Sequence, residues 1–184
     1  MPINVLYNET STKTICKELN KMKKILSILL ILALSLGSCL ALADGLDETY
    51  YRPLGETGYE MWFAPELEPL DITDSMKEAY YVGYYISNSS SLEIAVQFFP
   101  DVEVTIEEYA EALKQYDDVS EITITTAGEI PVITYLIKNE GYNVHVMTII
   151  MEDSFMEVCF VPYNDENTIA IADQMKQSLR LIQE

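Results

Sequence analysis

The chain has 184 residues, 49% of them apolar, and a formal net charge of −19. That apolar share, with 13 tyrosines, argues against a disordered chain despite the charge. Acidity of this size repels nucleic acid and anionic lipid head groups, which argues against nucleic-acid binding.

Residues 1–21 are polar and show no periodic apolar pattern, so they read as an upstream mis-start or a disordered lead. Met22 to Ala43, MKKILSILLILALSLGSCLALA, has the layout of a bacterial export signal. Two lysines precede an apolar run from Ile25 to Leu36, and small residues stand before Asp44. A membrane-spanning helix needs about 20 apolar residues, and this run is shorter. Two ways of processing stay open. Cleavage between Ala43 and Asp44 would release the protein. Leu36-Gly37-Ser38-Cys39 also resembles a bacterial lipobox, which implies a lipid on Cys39 and a tethered product. Either way the remainder is expected outside the cell or at its envelope, with membrane contact only through this segment.

Of the 30 acidic residues 28 lie from Asp44 onward, against 6 of the 11 basic ones, so that part carries −22. It is long enough to build a sizeable core without disulfides. Cys159 is its only cysteine; with no basic neighbour in the local sequence it reads as a small buried hydrophobe.

Residues 44–57 read as a tether and 58–184 as one α/β domain. Glu60 to Ala64 reads as a strand closed by Pro65, and Glu66 to Glu78 as a loop with a turn of helix near Asp74. Ala79 to Ser87 and Leu92 to Phe99 are rich in β-formers and flank a serine-rich turn, which predicts a hairpin. Thr105 to Tyr116 is the clearest helix. Thr105 and Glu108 form a capping box, and Ile106, Tyr109, Ala110 and Leu113 share a stripe. Four β-runs follow: Glu121 to Thr126, Ile130 to Lys138, Tyr142 to Met151 and Phe155 to Val161. A final helix is expected after Asn164 or Asp165, with a stripe from Ile169 through Ile182. Two amphipathic helices and strands with apolar residues at both parities predict an α+β fold, an antiparallel sheet flanked by the helices.

This order of elements resembles the PsbP-like fold family. The residues that carry the likeness are Thr57-Gly58-Tyr59-Glu60-Met61-Trp62-Phe63 leading to Pro65, the Thr105 helix and the closing Ile169 to Ile182 helix. The family includes a photosystem oxygen-evolving subunit, a Ran-binding import protein and exported bacterial proteins of unknown role. The resemblance implies an α/β/α sandwich and a binding or assembly role, without a reaction.

Catalytic sets are hard to compose. His145 is the only histidine and sits mid-strand, so neither a serine triad in a G-x-S-x-G setting nor an ordinary zinc site is available. Phosphate-binding glycine patterns are absent. Carboxylates are plentiful, and a glycosidase would need two of them about 5 to 10 Å apart. Asp117-Asp118, Glu152-Asp153 and Asn164 to Asn167 could offer oxygens to calcium, though the EF-hand pattern is missing.

Among Tyr80, Tyr81, Tyr84 and Tyr85, one pair reads as core packing and the other suggests a platform for a peptide or sugar. Alternation would send Tyr80 and Tyr84 to one face and Tyr81 and Tyr85 to the other. The expectation is therefore a non-enzymatic exported domain, without cofactor, that binds a protein, peptide or glycan. A carboxylate-based hydrolase acting on glycans and a calcium-responsive surface protein are the alternatives.

Overall fold

The computed structural model describes residues 45–182. The expected mis-start, the leader, Cys39 and the Ala43–Asp44 junction lie outside the described residues. No described helix is long and apolar enough to cross a membrane.

The strands are β1 (Tyr51–Pro53), β2 (Tyr59–Trp62), β3 (Leu67–Pro69), β4 (Tyr81–Ser87), β5 (Glu93–Pro100), β6 (Val119–Ala127), β7 (Ile130–Asn139), β8 (Tyr142–Ile150), β9 (Ser154–Val161) and β10 (Arg180–Leu181). The helices are α1 (Asp74–Glu78), α2 (Ile106–Leu113) and α3 (Glu166–Gln177). Seven strands form one antiparallel sheet in the order β3-β4-β5-β9-β8-β7-β6, and β1-β2-β10 form a small second sheet. The fold is α+β and mostly antiparallel. The β6–β9 meander returns so that β9 pairs with β5, the second arm of the β4–β5 hairpin.

Strand parity explains the packing. Met147 and Ile149 of β8 join Met156, Val158 and Phe160 of β9, Ile94 and Val96 of β5, and Ala172 and Met175 of α3 in the larger core. Val146, one residue from Met147, points into a smaller core with Ile133, Tyr135 and the α2 residues Ala110 and Leu113. Full burial of side chains such as Phe63 and Phe160 stabilises the fold by about 1.5–3 kcal/mol each.

Helix α2 begins at the expected capping box. The Thr105 hydroxyl accepts from the Glu108 N–H at 3.2 Å, and the Glu108 carboxylate accepts from the Thr105 N–H at 3.0 Å. Asp165, one of the two expected caps, starts α3 by accepting from the N–H groups of Asn167 and Thr168.

Three local expectations differ from the structure. The stretch read as a tether carries a 3-10 turn at Glu48–Tyr50 and strand β1, and Leu54 is buried. These residues pair with β2, which propensity alone does not show. The Glu66–Glu78 loop holds the short strand β3 as well as α1. Helix α3 stops at Gln177, short of Ile182. The Ser178 hydroxyl donates to Met175 O at 2.6 Å and accepts from Trp62 N at 2.9 Å, so the chain leaves the helix and Arg180–Leu181 pair with β2.

Candidate binding clefts beside strand β4

Of the four tyrosines singled out in the sequence, Tyr85 packs against the larger core, and Tyr80, Tyr81 and Tyr84 lie towards the surface. Helix α1 starts at Thr73, whose hydroxyl accepts from Met76 N at 3.3 Å, and ends at Ala79. Tyr80 follows with φ +66°, the left-handed conformation that lets the chain leave a helix. It is half exposed, with its ring 5.3 Å from that of Phe99. Strand β4 then carries a bulge: Tyr81 opposes Gln97 and Gly83 opposes Val96, so Val82 is an extra residue.

The bulge corrects the alternation expected from the sequence. Tyr81 and Tyr84 come together, their ring centroids 6.3 Å apart. Tyr85 turns into the larger core, 4.2 Å from the Phe63 ring. The Tyr84 hydroxyl donates to Glu93, and burial followed by that carboxylate pushes its pKa up to about 12.

Two clefts share Tyr81. The one of about 430 Å³ is lined by Ile72, Val82 and Phe98, with the Gly55–Thr57 turn and Lys77 at its sides. The other, of about 510 Å³, is lined by Leu70, Met76, Ala79 and Tyr84, with Asp71, Thr73 and Ser75. Leu70, Tyr80 and Val82 are all exposed beside them. Between Glu66 and Glu78 there are five carboxylates and one lysine, Lys77, which pairs with Asp74 at 3.3 Å. Each cleft is lined by a single carboxylate, Glu56 or Asp71.

The groups best suited to covalent or acid–base chemistry lie elsewhere. Cys159 packs against the smaller core, and burial, with help from Glu157, pushes its thiol up to about 12. Tyr109 and Tyr135 both donate to Glu157 Oε1, at 2.6 and 2.5 Å, and burial raises both phenols above their ordinary value. His145 lies 3.1 Å from Lys176 Nζ, and burial followed by the Lys176 charge lowers its pKa to about 4. Among the described residues no three His, Cys, Asp or Glu side chains are grouped to hold a metal ion. The segment at Asn164–Asp165 is used by the backbone: Asn164 accepts from Asn143 N, and Asp165 caps α3.

Sequence reasoning missed the His145–Lys176–Asp173 cluster and the Glu157 cluster. Both join residues far apart in the chain. Beyond the helical i,i+3 spacing of Asp173 and Lys176, their sequence signal is the parity of a strand or the stripe of a helix, which gives a face and no partner.

No family model matches the chain, and no curated protein matches it by sequence. The solution structure of cyanobacterial PsbP (CyanoP) from Synechocystis sp. PCC 6803 superposes with a TM-score of 0.51 at 8% identity, covering 75% of this chain and 96% of that one. A crystal structure from Bacteroides thetaiotaomicron VPI-5482 gives 0.49 at 13% identity, covering 69% of this chain and 46% of that one. The chain thus spans less than half the length of the latter. The fold resembles that of PsbP; at this identity the likeness concerns fold alone.

Proposed function

We propose that this chain is an exported, non-enzymatic binding or assembly module, and that the clefts beside β4 take up an apolar segment of a cationic partner protein. The observation that carries this reading is the concentration of exposed Leu70, Tyr80 and Val82 around two clefts that share Tyr81. Exposed apolar groups gathered at one place, rimmed by polar residues, mark interaction surfaces. Charge selects the partner. The segment Glu66 to Glu78, which lends Asp71 and Lys77 to the clefts, holds five carboxylates against one lysine, in a part of the chain that carries −22 by the counts above, so cationic segments are attracted and acidic ones repelled.

Two further readings belong with it. Helices α2 and α3 act as the outer layers of an α/β/α sandwich, each holding one face of the large sheet. The leader exports the domain, and cleavage at Ala43 or lipidation at Cys39 decides whether it is free or tethered.

The test is recovery of complexes from producing cells after mild cross-linking, with wild-type protein and with Val82→Arg. A lysine- or arginine-rich partner that is lost with Val82→Arg, at unchanged Tm, supports the reading. The same partner recovered equally by both proteins would remove the cleft from it. A hydrolase activity abolished by one carboxylate substitution would overturn the non-enzymatic assignment.

A further inference from the structure

Strand β6 ends the large sheet on the side away from β3 and β4. It pairs with β7, and among the described residues nothing pairs with its outer edge. Apart from that pairing, no backbone hydrogen bond from another described element reaches 120–127. Five β-branched residues, Ile122 to Thr126, run in succession without charge or proline, and Ile124 is exposed. Natural edge strands are usually blunted by charge, proline or short length. Here the only irregularity is a bulge between Ser120 and Thr123, where Glu121 has φ +56°. Beyond it the register is regular from Thr123 to Ala127.

The same strand walls a cavity. About 260 Å³ lie between Thr125 to Ala127, the neighbouring strands, and Asp173, Lys176 and Gln177 of α3. Gln177 Oε1 is buried with no donor. Lys176 Nζ is engaged at Asp173 Oδ1, 2.7 Å, and at His145 Nε2. The cavity therefore offers one acceptor without a donor, Gln177 Oε1, while Asp173 Oδ1 is taken by Lys176 and by the Tyr163 hydroxyl.

We propose that the β6 edge accepts an extended segment of a cationic partner protein as an added strand, and that this segment sets a lysine or arginine side chain into the cavity. Strand addition draws affinity from main-chain hydrogen bonds and specificity from pockets for alternate side chains. The unmatched Gln177 Oε1 calls for a donor, and the net acidity calls for a cation. A second copy of this chain is the poorer occupant, because pairing two β6 edges would gather Asp117, Asp118, Glu121 and Glu129 of both copies. The site lies at the opposite end of the sheet from the β4 clefts and stands without them.

The probe is a capped nine-residue peptide of alternating threonine and valine with a central lysine on the threonine face, and its glutamate counterpart. Fluorescence anisotropy measures affinity, and hydrogen exchange read by mass spectrometry maps protection. The expected result is slowed exchange at residues 120–127 and binding about tenfold tighter for lysine than for glutamate, the worth of one charge-assisted hydrogen bond. Ile124→Lys should abolish that protection at unchanged Tm. Gln177→Met should reduce the preference for lysine while leaving protection in place. Absence of protection over 120–127, equal affinity for the two peptides, or a dimer in sedimentation that Ile124→Lys dissolves would each overturn the proposal. None of these outcomes depends on Val82, so failure here is distinguishable from failure of the β4 reading.

Discussion

Lys176 Nζ stands 3.1 Å from His145 Nε2, bridging a helix to the middle of a strand. The lysine can only donate, so the neutral imidazole accepts at Nε2 and carries its proton on Nδ1. Asp173 faces the same lysine at 2.7 Å, and the Tyr163 hydroxyl donates to Asp173 at 3.0 Å. Protonating His145 would set two cations against each other in a mostly buried place. Its folded pKa, near 4, lies below the ordinary value of 6.5. Between those values the unfolded chain binds more protons, so stability is full above pH 6.5 and falls as the pH drops toward 4. The part due to this residue is on the order of 2 kcal/mol after allowance for partial exposure. Urea unfolding of wild type and His145→Gln at pH 7 and pH 4.5 measures it. The variant should lose less stability on acidification than wild type; equal losses would contradict the assignment.

Glu157 Oε1 receives the hydroxyls of Tyr109 and Tyr135, with Thr148 at 3.4 Å. Tyr135→Phe removes one donor and leaves the other, and should cost about 1–2 kcal/mol. Glu157→Ala strips both phenols of their acceptor and should cost roughly 2–4 kcal/mol. The double variant should be less destabilised than the sum of the two, a coupling read from denaturant midpoints.

Gly128 turns β6 into β7 at φ +58°, and a Cβ there would lie 2.6 Å from Leu179 O. The obstacle is backbone, so it cannot rotate away. Gly128→Ala should lower stability by about 1–3 kcal/mol, from left-handed strain and displacement of the α3 exit. A Tm equal to wild type would show that this turn tolerates a side chain.

Arg180 joins the two ends of the described chain. Its guanidinium donates to Glu60 at 2.8 Å and to Glu48, and lies 3.6 Å from the Tyr51 ring centroid. Arg180→Ala should loosen β1 while the large sheet stays intact. Limited proteolysis should then cut within 45–56 faster than in wild type, with amide exchange over β8 and β9 unchanged.

Most of the fold was legible because its signals are local. The Thr105 capping box and the β4–β5 hairpin with its serine-rich turn are each written within a few residues. Strands β1 and β10 were not legible, because β2 defines both by pairing and neither carries a strong propensity of its own. The tyrosine run shows the same limit at the candidate site. Its residues were visible, but one bulged residue, Val82, reassigned their faces, and no alternation rule anticipates a bulge.

Val82 is the place to probe the proposed uptake of a cationic partner segment by the clefts beside β4. A photo-cross-linking amino acid placed at Val82 in producing cells tests it most directly, with the same group at exposed Tyr142 as the control. The expected result is an adduct at Val82 and none at Tyr142, weakened by added salt, whose cross-linked peptide has apolar residues flanked by lysine or arginine. Adducts of equal yield at both positions, or a cross-linked segment that is acidic, would contradict it.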